Sequence, residues 1–266
     1  MPRLTKWTVI VAAAMALVPA LAAQELVRRV AAVRQGDVEF LYTARAGVCG
    51  DGARRLRIGH STYGDVDDGE FDSFCRPGPV RVRIRMEDGA VSDIHTTVGP
   101  RRSRTADAPA TELGVVPAAA ASAYFIDLAR TASGRVAERA LLPAVLADSS
   151  YPWRALLAIA RDSATRDRST RTNAAFWSSR FAAAKLDGHE NDLAAPDDDE
   201  SPDREHDARG SAVFALSQLR DHEGIPPLIQ VARTNHDAYL RRQALFWLGQ
   251  SGDPRALALF DEILSR

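Results

Sequence analysis

The sequence predicts an α+β protein, a small disulfide-linked β module followed by an all-α stack of about eight paired helices. Three observations carry that expectation. Residues 36–100 hold an alternating apolar–basic run among dense Gly and Asp turns, and beyond residue 116 alanine and leucine dominate with apolar residues recurring at three and four. The last third of the chain then repeats itself at a shift of 32 residues. The 266 residues are 45% hydrophobic and 26% charged, which excludes a mainly disordered, collagen-like or multi-span membrane chain. With 34 basic and 35 acidic side chains the net charge is −1, so no global field points to a nucleic-acid partner.

The N-terminus has the three regions of an export leader. Arg3 and Lys6 supply positive charge, Trp7–Val18 is an apolar run, and Ala20-Leu21-Ala22 offers small residues at cleavage spacing. A leader at 1–22, removed after Ala22, predicts a periplasmic or secreted chain with no stable membrane span after cleavage. In an oxidising compartment Cys49 and Cys75, the only two cysteines, have a single intramolecular pairing open to them.

Residues 23–100 form the expected β module. Val80-Arg81-Val82-Arg83-Ile84-Arg85-Met86 alternates as a half-buried strand does, and Asp88-Gly89 suits the positive φ angles of a tight hairpin. Val38–Tyr42 and Leu56–Ile58 are weaker strand candidates. Arg81, Arg83 and Arg85 are expected on one solvated sheet face. The acids Asp65, Asp67, Asp68, Glu70 and Asp72 lack the order of ligands that an EF-hand needs, and His60 and His95 have no ligand spacing around them. A polar linker is expected at 101–115.

Residues 116–266 read as helical repeats, starting with helices near 117–132, 136–147 and 152–161. At a shift of 32, Ala212, Phe214, Leu216, Ile225, Leu228, Val231 and Ala232 fall on Ala244, Phe246, Leu248, Leu257, Phe260, Ile263 and Leu264 without a gap. An earlier, less regular copy places Ala174, Phe176 and Trp177 before Ala244, Phe246 and Trp247. An acid is followed four residues later by arginine in each copy: Asp167 with Arg171, Glu205 with Arg209, Asp237 with Arg241. An acid in the first helical turn suits the dipole and can pair with the arginine along the same face. These six, with Phe176, Phe214 and Phe246, are therefore expected to stabilise the stacked repeats.

The segment from Arg241 to Leu257, within Ala212–Leu264, resembles bacterial HEAT repeats of the phycobilisome-lyase-like type. The resemblance implies an α-solenoid that binds other proteins. Bilin attachment does not carry over, because the repeat region has no cysteine. The repeat is interrupted by an acidic loop at 187–207, flanked by His189 and His206, which is the first candidate for binding outside the helices.

No nucleophile elbow, zincin helix, phosphate loop or dinucleotide fingerprint is present. The expected function is an exported, non-catalytic scaffold for protein partners in the cell envelope, with no cofactor, no metal and no nucleic acid. The alternative is a hydrolase or ligand-binding protein with its site in the β module.

Overall fold

The computed structural model describes residues 21–53, 55–59, 61–63, 75–100, 109–164, 166–188, 193 and 204–266. The leader up to residue 20, the acids at 65–72, His60, His189, most of the acidic loop and the side chains of Glu205 and His206 lie outside the described residues.

The chain forms a mixed sheet with a disulfide, followed by a largely helical region. A helix at 21–31 (α1) comes first and buries Leu26 and Val30 in the main core. The strands are β1 Gly36–Tyr42, β2 Val48–Gly50, β3 Leu56–Ile58, β4 Ser61–Tyr63, β5 Val80–Glu87, β6 Ala90–Val98 and β7 Ala110–Val115. One sheet has the order β6-β5-β1-β7 and a smaller one the order β2-β3-β4. The β5–β6 hairpin turns at Asp88 and Gly89, with φ of 53° and 81°, as the Asp-Gly pair predicts. β1, a weaker candidate by pattern, is the central strand, antiparallel to β5 and parallel to β7.

β7 occupies residues 110–115, which were expected in a linker, so the boundary moves. Thr111, Glu112, Gly114 and Val115 are exposed, which hides a strand from any hydrophobic period. Pairing with β1 alone defines it. Its register shifts opposite Glu39/Phe40 and Gly114 has a φ of 75°, an irregularity that blunts this sheet edge.

Alternation fixes the two faces of the sheet. Val38, Phe40 and Tyr42 of β1 and Val80, Val82 and Ile84 of β5 are fully buried on one side. On the other side Asp37 and Glu39 meet the β5 arginines: Arg81–Glu39 at 2.8 Å, Arg85–Asp37 at 3.0 Å and Arg83–Glu39 at 3.4 Å. The three arginines do line one face, but they pair there with two acids of the neighbouring strand and do not stand free in solvent.

The helices are α2 Ala118–Thr131, α3 Gly134–Val145, α4 Trp153–Arg161, α5 Arg168–Leu186, α6 Arg204–Ser217, α7 Ile225–Thr234, α8 Ala238–Ser251 and α9 Pro254–Ser265. α2 and α3 cover the inner face of the sheet, where Phe40 stacks on Phe125 at 5.8 Å and meets Tyr124 edge-on at 6.4 Å. The Tyr42 hydroxyl donates to the Pro143 carbonyl at 2.6 Å. The sheet and the first helices thus share one core.

Cys49 and Cys75 are bonded, with Cα atoms 5.2 Å apart. Beside them Gly50 and Arg76 exchange two backbone hydrogen bonds of 3.0 Å. A Cβ on Gly50 would stand 2.4 Å from the Val98 carbonyl oxygen, so β2, the segment after Cys75 and the end of β6 pack backbone on backbone. Reducing the disulfide, which closes a 26-residue separation, is expected to lower stability by about 3.5 kcal/mol through loop entropy. Urea unfolding with and without a dithiol measures this, and a loss below about 1 kcal/mol would mean the backbone bridge holds the segment by itself.

Candidate interaction surface

The two C-terminal helix pairs, α6/α7 and α8/α9, are the repeat seen at a shift of 32. Ile225 and Leu257 are both buried, as are Leu228 and Phe260, and Ala232 and Leu264. Val213 and Leu245, equivalent at the same shift and absent from the seven matches, are also both buried. That pair was available in the sequence.

α8 lies between α5 and α6. Against α6 it runs parallel: Tyr239 meets Gly210, and four to eight residues on, Trp247 meets Phe214 at 5.0 Å. Phe246 meets Phe176 of α5 edge-on at 6.0 Å. Phe214 and Phe246 therefore each meet an aromatic ring on the next helix, but Phe214 is left half exposed and Phe246 is not. Toward α5, however, α8 runs antiparallel. Arg241, near its start, pairs with Asp187 at the end of α5, while a Cβ on Gly249 would lie 3.3 Å from the Phe176 Cα and 2.5 Å from the Ser179 hydroxyl. The copy around Ala174-Phe176-Trp177 is thus no third in-register layer. It closes the stack from the other side.

The expected acid–arginine pairs resolve into two separate roles. Asp167 caps α5, accepting from the Thr170 N–H at 3.0 Å and from the hydroxyls of Thr170 and Ser169, each at 2.9 Å. These bonds, the Thr170 N–H first, hold its carboxyl below the usual range. No ion pair joins it to Arg171 among the described residues, because a carboxylate turned in over the helix start does not lie along the flank. Asp237 caps α8 through the Tyr239 N–H at 2.9 Å. Arg241 reaches back to the carbonyls of Asn235 and His236, each at 3.0 Å, and across to Asp187 at 3.3 Å. It bridges neighbouring helices, as its repeat position allows. Arg209 is exposed on α6.

A third cap was missed. Asp253 starts α9, its Oδ1 accepting from the Arg255 N–H at 2.8 Å, and its other oxygen, Oδ2, faces the Arg255 side chain at 2.9 Å and His222 Nδ1 at 3.2 Å. The Asp-Pro dipeptide before a helix was the available signal. The Arg255 side chain, ahead of its backbone N–H, holds the Asp253 carboxyl below the usual range. A depressed folded value means stability that is present above the unfolded value of about 3.9 and lost as pH falls through the folded one. Asp253→Asn is expected to flatten the acid limb of a melting-temperature profile between roughly pH 5 and 2; a slope equal to the parent's would remove Asp253 from that account.

Among the described residues α6 is the outer helix of the stack. Of its described side chains only Val213 is buried. Ala215 stands where α8 has Trp247, the ring that receives Phe214, so α6 lacks on its outward side the aromatic group that takes a neighbour on α8. Phe214 and Leu219 nevertheless remain 46% and 48% exposed. Leu219 lines a groove of about 310 Å³ together with Leu216, Leu228 and Trp247, and Phe214 touches it only through the Trp247 ring. Its wall at Asp221 and His222 holds left-handed φ angles of 52° and 60°.

Among the described residues no group of three or more His, Cys, Asp or Glu is placed to hold a metal, and no helix is long and apolar enough to cross a membrane.

These features define an α+β protein with a two-layer helical repeat at its C-terminal end. Residues 199–266, which include both in-register pairs, match the HEAT repeats family. No curated protein and no solved structure matches the chain.

Proposed function

We propose that this protein is an exported, non-catalytic scaffold that docks a protein partner of the cell envelope at the free end of its HEAT repeats. The observation that carries the reading is the exposure of Phe214 and Leu219 beside the groove at the end of the stack, where two large apolar side chains gain by being covered. The HEAT-repeat match over 199–266 supports a role in protein interaction. The leader pattern and the disulfide support an oxidising compartment outside the cytoplasm.

A photo-crosslinking amino acid in place of Leu219, expressed in the native envelope, tests it. The expected result is one discrete adduct at Leu219 that an equivalent probe at the exposed Val115 does not give. Adducts at Val115 alone would favour a second reading, a small apolar ligand or substrate bound in the β module. A groove of about 540 Å³ lined by Tyr42, Val48, Pro77, Pro79 and Val115 supports that second reading.

A further inference from the structure

At the other end of α7 and α8 lies a second groove, of about 460 Å³, whose floor includes Leu186, Leu259 and Ile263 and whose rim carries Arg233, Arg241 and Arg266. The ion pairs around it are unevenly matched. Glu262 is shared by Arg233 and Arg266, and Asp187 by Arg241 and Arg242 at 3.3 and 3.5 Å. Among the described residues two side-chain carboxylates thus serve four guanidiniums, a local positive excess on a chain whose net charge is −1.

The excess is accessible. The side chains of Arg233 and Arg266 are 50% and 70% exposed, and among the described residues both rely on the same carboxylate, Glu262. An incoming carboxylate therefore gains a planar, two-pronged partner without stranding Glu262. The apolar surface open to an occupant is that of Leu186, 37% exposed, with Leu259 and Ile263 covered behind it, which suits an apolar side chain and not a bare sugar–phosphate backbone.

We propose that this groove receives a segment of a partner protein in which apolar and acidic side chains alternate, its carboxylates on Arg233 and Arg266 and its apolar groups against Leu186. The proposal rests on the scaffold reading in taking a protein as occupant, and adds the chemistry of what is recognised.

The test is fluorescence anisotropy of the full mature chain with a short labelled peptide alternating leucine and glutamate, and with its leucine–lysine counterpart. The glutamate peptide is expected to bind and the lysine peptide not to. The double variant R233E/R266E should weaken binding at least tenfold while lowering the melting temperature only slightly, because the ion pairs to Glu262 that it reverses are exposed. Raising salt from 50 to 300 mM should weaken it severalfold. Failure of the glutamate peptide to bind, equal binding of both peptides, or indifference to R233E/R266E would overturn the proposal. So would binding that emerges only after Asp197, Asp198, Asp199 and Glu200 are changed to serine, since the occupant would then be the chain's own acidic run. A specific adduct at Leu219 with no peptide binding here would leave the scaffold reading standing and remove this one.

Discussion

Gly224→Ala is expected to destabilise the protein by more than about 3 kcal/mol, a fall in Tm of roughly 6–12 °C for a domain of this size. The cause is steric. A Cβ on Gly224 would stand 1.8 Å from the Leu216 carbonyl oxygen and 2.7 Å from its carbon, and both are backbone atoms at the end of α6. The φ of −73° is open to any residue, so no conformational preference is being tested. Glycine is required because α6 turns directly onto the start of α7. Relief would push the two helices apart and open the groove between Leu216 and Leu228. Two controls separate this from a general intolerance of alanine. At Gly210 the added methyl meets only the hydroxyl end of the Tyr239 side chain at 3.0 Å, and that end can swing, so Gly210→Ala should cost less than about 1 kcal/mol. At Gly252 the space is open but φ is +66°, so Gly252→Ala should cost roughly 1 kcal/mol through strain at the end of α8. Thermal melts of the three variants give the ranking. If Gly224→Ala melts with Gly210→Ala, the close approach of α6 to α7 is not what holds the terminal repeat. The same variant should also lose the adduct at Leu219, tying the packing of one turn to the docking surface.

The second large effect is expected at Arg45, which is only 1% exposed. Its guanidinium donates to the carbonyls of Val145 at 3.1 Å, Ala147 at 3.4 Å and Ser150, and lies 5.3 Å from the ring centres of both Tyr151 and Phe181. These acceptors follow the end of α3, where the helix dipole is negative and carbonyls lack partners. Burial lowers the guanidinium's pKa, while Tyr151 and Asp148 act to raise it. One side chain thereby joins the connection after β1 to α3, to the approach to α4 and to α5. Arg45→Ala is expected to cost about 3–5 kcal/mol, combining stranded carbonyls with the cavity left by the aliphatic stem. Arg45→Lys should recover only part of this, because one ammonium cannot span three acceptors in the plane that the guanidinium fills. Urea unfolding measures both. Arg45→Met within about 1 kcal/mol of the parent would show that packing of the stem accounts for the stability, and that the three hydrogen bonds add little.

Several elements are legible before any coordinates. The alternation from Val80 to Met86 marks β5, Asp88-Gly89 marks its turn, and the two cysteines have one pairing between them; each is a local pattern or an elimination. The repeat at 32 residues likewise survives, because helix pairs that bury equivalent faces keep apolar residues at equivalent positions, as Leu228 and Phe260 do. Less legible are β7, whose exposed side chains leave no period, and Arg45, a charged residue in a short connection whose burial depends on carbonyls about a hundred residues away. The acid–arginine spacing is misleading in a specific way. Spacing alone cannot tell a carboxylate that caps from one that pairs, since both favour the first turn, and Asp167 caps.

Periodicity, turn chemistry and self-similarity were therefore enough for the class of fold, the disulfide and the existence of repeats, because each depends on residues a few positions apart or on a copy of the same stretch. Only the packed chain decides that α5 lies antiparallel on α8, that α6 is the outer helix of the stack, and that Phe214 stays half uncovered while Phe246 finds Phe176. Two copies of one helical pattern present the same face. Which of them ends up against a neighbour and which against solvent depends on contacts between segments far apart in the chain, and no local pattern carries those contacts.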